Sequence, residues 1–328
     1  MKQLLAAGAA LTCAASGAVI ASSPAAAAGY SGPCQAVFVS PHQDDEVLSM
    51  GAAIRQHVEA LGGDKVCVAL FTTGLHSNTK SIIRAQKLGP TTYAGWKPAG
   101  RTGVVAHPTL TDTQFIAARD KEFMGALRAL GVPATNIYIN GYTLNGATYP
   151  AATDNTIPGV ERVFDANDNS GAQQAKATSF MSAVIAYFGA DKDYKTQSPQ
   201  DPSGDHAALG IALRDTGQAV RSKRYYYPPY QRSLPNDDGL KLMEQKASNT
   251  TAQLAAAKEY GTYDPAAGRY GIGWLSVRQP FGGDALKVEP CTKSSTGATT
   301  CPGPASPYST ASRDVSFIGA YSSLVQMG

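Results

Sequence analysis

Apolar residues fall along this chain in two alternating rhythms. The run AVFVS, from Ala36 to Ser40, predicts a buried strand. Val47, Gly51, Ile54, Val58 and Leu61 then recur at spacings of four and three, which predicts an amphipathic helix ended by Gly62-Gly63. VCVALFTT, from Val66 to Thr73, predicts a second strand. A stretch rich in Gly, Pro and Thr follows to about Thr111 and reads as a long loop. A helix is expected over about Asp112 to Leu130, closed by Gly131, and a third strand over NIYING, Asn136 to Gly141. Tyr142 to about Ser170 reads as irregular. A helix near Ala172 to Phe188, a weak strand DYKTQ (Asp193 to Gln197), a helix from about Asp205, a strand KRYYY (Lys223 to Tyr227) and a helix over about Gly239 to Tyr260 complete the pattern. Strands alternating with helices predict an α/β fold, a Rossmann-like three-layer sandwich with a mainly parallel sheet. In such sheets ligands bind beyond the carboxyl ends of the strands.

The first thirty residues break this pattern. One Lys, an apolar stretch of small residues and an Ala-x-Ala site predict a signal peptide over residues 1–28, cleaved after Ala28. Pro24 and the many Ala, Ser and Gly residues argue against a stable membrane anchor. A secreted (extracellular) protein is expected. Residues 29–283 then form the main domain, and the polar, turn-rich residues 284–328 a C-terminal extension. The net charge of +3 gives no electrostatic reason to expect a nucleic-acid partner.

Cys13 departs with the signal and leaves Cys34, Cys67, Cys291 and Cys301. An even number in an exported chain implies disulfides, with three possible connectivities. Cys34–Cys67 and Cys291–Cys301 is the economical pairing. A four-cysteine zinc site is the weaker alternative, because no C-x-x-C pair exists.

Candidate chemistry sits where the first strand ends. VFVSPHQDDEVLSMG puts His42, Asp44, Asp45 and Glu46 at the turn into the first helix. One Asp could cap that helix. A histidine with three adjacent acids is better explained by a divalent metal, and imidazole with carboxylate oxygen suits zinc. A catalytic zinc takes a third protein ligand. His57 lies about three turns into the helix, whereas His206 in SPQDPSGDHAALG occupies the equivalent end of another strand.

PHQDDE followed by a distant SGDH resembles the PIG-L/LmbE-like family of zinc-dependent de-N-acetylases, whose pattern is P-H-P-D-D-E and later H-x-D-H. TTG (Thr72 to Gly74) and the R-x-x-E of Arg119 and Glu122 extend the similarity, which spans about Ala36 to Gly283. The resemblance implies that His42, Asp45 and His206 ligate zinc, that Asp44 is the general base, that Arg119 contacts substrate and that Glu46 is structural. It implies removal of N-acetyl groups from amino sugars such as N-acetylglucosamine units. With export, the expected substrate is an extracellular glycan or glycoconjugate, or a small molecule bearing such a sugar. Gln43 replaces the motif's second proline. Ser203 replaces the first histidine of H-x-D-H, which assists the leaving group or the oxyanion; Ser203 can donate a hydrogen bond but is a poor acid. His76 and His107 are the candidates to replace that histidine. Trp96, Tyr142, Tyr149 and Tyr225 to Tyr230 are candidate sugar-stacking faces, Tyr142 foremost. Two rival readings are a zinc amidase or esterase on an acylated natural product, and a non-catalytic glycan-binding protein on the same scaffold.

Overall fold

The computed structural model describes residues 30–77, 79–83, 87–88, 91–96, 110–166, 171–201, 203–227, 240–242, 247–276, 290–293, 299–300 and 324–327. Five parallel strands form the centre: β1 (Ala36–Ser40), β2 (Val66–Leu70), β3 (Ile137–Tyr138), β4 (Asp193–Gln197) and β5 (Ser222–Tyr227). Their order is β3-β2-β1-β4-β5, so the chain moves outward from β1 in one direction and then returns to its other side. Two antiparallel strands, β6 (Leu240–Leu242) and β7 (Leu324–Met327), extend the sheet beyond β5 in the order β5-β7-β6. Residues near the C-terminus thus join the main sheet. Pro290–Lys293 pairs with Thr91–Trp96 in a second small sheet.

Alternation along the strands builds two cores. Ala36, Phe38, Val66, Val68 and Leu70 face one helical layer: α1 (Asp45–Leu48), α2 (Gly51–Leu61), α3 (Asp112–Ala129) and α6 (Ala247–Gly261). Val37, Val39, Cys67 and Ala69 face α4 (Gly171–Phe188) and α5 (Gly204–Asp215). This is the expected three-layer sandwich. Cys34 and Cys67 form the expected disulfide, with Cα atoms 5.9 Å apart, because β1 and β2 are parallel neighbours. Cys301, one half of the proposed Cys291–Cys301 bridge, and the signal segment lie outside the described residues. Among the described residues no helix is long and apolar enough to cross a membrane.

Local chemistry explains where the structure departs from the pattern. The first helix is interrupted at Ser49 and Met50, where the Asp45 carbonyl accepts from the Ser49 hydroxyl at 2.6 Å as well as from the Ser49 and Met50 N–H groups at 3.0 and 3.4 Å, a crowding that bends the helix. The expected loop after β2 contains a short helix, Thr79–Ile83, and strands Lys87–Leu88 and Thr91–Trp96. The irregular stretch after β3 contains a hairpin, Tyr142–Leu144 with Ala147–Tyr149. The third strand has two residues rather than six. The expected last helix is described over Ala247–Gly261, and Leu240–Leu242, at its expected start, is a strand.

The weak strand DYKTQ lies beside β1, at the middle of the sheet, and its Lys195, Thr196 and Gln197 side chains are buried. Thr196 donates to the Val39 carbonyl at 2.8 Å. Lys195 is fully buried over the Phe38 ring, 5.3 Å from its centroid. Burial pushes the Lys195 ammonium down to about 7, against the pull of Asp193. Below pH 7 the folded state therefore bears the full penalty of a buried cation. From about 7 to 10.5 the unfolded chain binds more protons than the folded one, so this penalty fades as pH rises. Lys195→Met should raise the thermal midpoint most at pH 6 and progressively less toward pH 10. An equal gain at both ends of that range would show that the lysine is not buried as a cation.

Candidate metal centre and active site

The order β3-β2-β1-β4-β5 reverses direction between β1 and β4, which opens a crevice at their carboxyl ends. His42, Asp44 and Asp45 lie on the turn from β1 into α1. His206 lies in the first turn of α5, which follows β4. The crevice thus brings together residues 164 positions apart.

Three ligand atoms converge there. His42 Nδ1, Asp45 Oδ2 and His206 Nε2 are each 3.1 Å from the other two. A tetrahedral ion with ligands about 2.1 Å away has ligand–ligand edges of about 3.4 Å. The observed triangle fits such an ion after a shift of a few tenths of an ångström. Each histidine is oriented by a carboxylate on its other nitrogen. Asp205 Oδ2 lies 2.9 Å from His42 Nε2, and Asp201 Oδ2 lies 3.1 Å from His206 Nδ1. Asp205 in turn accepts from the Ala166 N–H at 3.0 Å and from Gln173. Metal-binding histidines are commonly oriented in this way.

The electrostatics favour a cation at the same spot. Burial alone would lower the His42 pKa, but its bonds to Asp205 and Asp45 raise it to about 9. His206 is also driven up against burial, by Asp45 and Asp201. Burial opposes ionisation of Asp45, yet the two histidines hold it well below the carboxylate range. The trio His42, Asp45 and His206 could therefore hold a metal ion.

Asp44 is built differently from its neighbour. Its φ of 117° lies in the left-handed region, a strain worth roughly 1–3 kcal/mol at a non-glycine residue. Its side chain does not cap the helix that follows. Instead Asp44 Oδ2 accepts from Arg119 at 3.2 Å. Burial raises its pKa, Arg119 opposes that rise and Asp45 adds to it, leaving Asp44 above the ordinary carboxylate range. The Asp44 N–H donates to Glu46 Oε2 at 3.0 Å, and Tyr260 donates to the other oxygen of Glu46. Glu46 is fully buried, as a structural acid would be.

The other sequence candidates are placed less uniformly. Arg119 is buried and donates to the carbonyls of Gly74 and Gln43 as well as to Asp44. The structure sets it against Asp44, with its Nε left without a hydrogen-bond partner among the described residues. Tyr142 is buried, stacked on Tyr149 at 5.0 Å and covered by the Arg162 guanidinium at 5.2 Å. Little of its ring is left for a sugar, so its place is in the packing. His76 is exposed; its N–H donates to Asp165 Oδ2 at 2.8 Å, and its Nδ1 lies against the Asp165 carbonyl. Asp165 precedes Ala166, whose N–H holds Asp205, so His76 borders the same crevice. Ser203 occupies the N-cap position of α5, but its hydroxyl makes no cap bond. His107 lies outside the described residues.

Sequence reasoning missed Asp201, Gln173 and the role of Gln43. Gln43 is fully buried and donates to Asp120 Oδ1 at 2.9 Å and to the Thr73 carbonyl at 3.1 Å. Asp120 also takes a bidentate pair from Arg162, at 2.6 and 2.9 Å. This network ties the motif turn to α3. The acid five residues before His206 in DPSGDH was the one available signal for Asp201.

The sequence model of the PIG-L family, described as GlcNAc-PI de-N-acetylase, matches residues 37–215. No curated protein sequence matches the chain significantly. Among solved structures, the chain is similar to the A40926 pseudoaglycone deacetylase Dbv21, at 19% identity and a TM-score of 0.43, covering 76% of this chain and 86% of that one. It is similar to the zinc-inhibited form of teicoplanin deacetylase Orf2, at 18% identity and a TM-score of 0.41, covering 69% and 83%. It is also similar to N,N'-diacetylchitobiose deacetylase from Pyrococcus horikoshii, at 14% identity and a TM-score of 0.39, covering 84% and 85%.

Proposed function

Because this chain belongs to the PIG-L family of GlcNAc-PI de-N-acetylases, we propose that it is a zinc-dependent hydrolase that removes N-acetyl groups from amino sugars such as N-acetylglucosamine units outside the cell. The observation that carries this reading is the meeting of His42 Nδ1, Asp45 Oδ2 and His206 Nε2 beside an Asp44 that caps nothing.

His42, Asp45 and His206 would hold the ion, two histidines and one carboxylate being a ligand set of catalytic zinc sites. Zinc bound there would supply Lewis acidity and a nucleophile at neutral pH. Asp44 takes the proton of the attacking water on its carboxylate. Its raised pKa suits that exchange near neutrality, where a base works best. Arg119 keeps the carboxylate aimed by its bond to Oδ2. Ser203 lacks an acidic proton near neutral pH, so the proton held on Asp44 is the one returned to the leaving amine. Ser203 Oγ remains free of capping and can donate to the developing oxyanion. His76 supplies a hydrogen bond to the sugar at the rim. Export is supported by the signal pattern of residues 1–28 and by the Cys34–Cys67 disulfide.

Acetate release tests the reading, with and without chelator, across N-acetyl sugars, chitin oligomers and acetyl esters. Chelator-sensitive release from the amides is the expected result. Release from the esters alone would make the protein an esterase. Binding of the sugars without any release would make it a glycan-binding protein.

A further inference from the structure

We infer that Asp201 is a positioning residue that fixes the tautomer of His206 and thereby tunes the affinity of the metal centre. This deepens the reading of His42, Asp45 and His206 as metal ligands and rests on it.

The two histidines present opposite nitrogens to the site. His42 directs Nδ1 inward and has Asp205 on Nε2; His206 directs Nε2 inward and has Asp201 on Nδ1. A neutral imidazole carries one proton, and an ionised carboxylate can only accept. A carboxylate on Nδ1 of His206 therefore holds a proton there, so that when a cation takes the place between Asp45 and the ring, Nε2 is the nitrogen whose lone pair is available to it. That nitrogen lies 3.1 Å from both Asp45 Oδ2 and His42 Nδ1. A proton on Nε2 instead would block coordination.

Asp201 is itself fixed. Its side chain is wholly buried, its own N–H donates to the Ser198 carbonyl at 3.1 Å, and its Oδ1 accepts from the Ser203 N–H at 2.9 Å. The two carboxylate oxygens thus have separate duties: Oδ1 serves a backbone donor and Oδ2 serves the ring.

This division makes Asp201→Asn informative. The Ser203 N–H needs an acceptor, so the amide must turn its oxygen toward Ser203. Its NH2 group then faces His206 Nδ1 and can only donate. The ring must accept at Nδ1, and its proton moves to Nε2, the nitrogen facing the metal. Asp201→Ala removes the orienting bond but imposes no wrong tautomer. The expected order of metal affinity is wild type, then Asp201→Ala, then Asp201→Asn. Loss of an outer-sphere partner typically lowers affinity about 10–100-fold, and Asp201→Asn should fall in that range or beyond.

Zinc affinity is measured on the full chain by competition with a chromophoric chelator. Thermal unfolding of the zinc-free forms checks that both variants fold. Ring 15N NMR of the zinc-bound protein reports which nitrogen of His206 carries the proton and which the metal. Nδ1–H with Nε2 on the metal in wild type, and loss of that state in Asp201→Asn, with the affinity order above, support the proposal. Wild-type affinity in Asp201→Asn overturns it, as does a wild-type zinc complex in which His206 Nδ1 carries no proton or binds the metal. If wild type binds no zinc, the metal-centre reading fails and takes this inference with it. If wild type binds zinc and Asp201→Asn binds it equally well, only the role of Asp201 fails.

Discussion

Asp44→Asn should keep its metal and its fold and lose turnover by about 10²–10⁴-fold, the usual effect of removing a general base. The amide matches the carboxylate in size, and Asn tolerates the positive φ of this position as well as Asp does. Its oxygen can still accept from Arg119 Nη2. What disappears is the proton acceptor. Metal content and turnover, measured on the same preparation, separate the two effects. Full turnover in Asp44→Asn would remove the base from the mechanism. Metal loss equal to that of Asp45→Asn would mean that the two acids act as one coordinating unit.

The second large effect concerns the metal itself. His206→Ala leaves two protein ligands where a catalytic site takes three. Zinc affinity should fall by more than about 100-fold, the upper end of what outer-sphere changes cost. His42→Ala and Asp45→Ala should behave alike, since the three ligand atoms form an equal-sided triangle. His57→Ala is the control. Its Nδ1 is 2.7 Å from the Ala53 carbonyl within α2, and zinc binding should not change. Undiminished zinc binding in His206→Ala would place the third ligand elsewhere.

The convergence of His42, Asp45 and His206 was legible before any coordinates from the strand-end position of both motifs together with their resemblance to the PIG-L/LmbE-like pattern. The expected parallel pairing of β1 with β2 also follows from two adjacent strands separated by one helix, and it brings Cys34, just before β1, within bridging range of Cys67 in β2. DYKTQ was faint because Lys195, Thr196 and Gln197 are buried by hydrogen bonding and aromatic contact rather than by apolar alternation. The Tyr142–Tyr149 hairpin was hidden because its strands have three residues each, too few to show a period. Arg119 and Tyr142 carried the chemistry expected of substrate contacts, and only the tertiary structure showed that they pack against Asp44 and Tyr149.

By itself the sequence determined what depends on local period and residue type. These are the alternation of strands and helices, the end of β1 as a reactive turn, and the identities of His42, Asp44, Asp45 and His206. Tertiary structure alone decided what depends on partners distant in the chain. It set β1 beside β4, so that His206 meets His42 across the point where strand order reverses. It gave Asp44 a strained backbone and an arginine partner, and Asp45 two histidines, so that adjacent acids acquire opposite pKa shifts. It also assigned Asp205 and Asp201 to opposite nitrogens of the two rings. Desolvation and charge act through space, and the distances that govern them come into being only when the sheet closes.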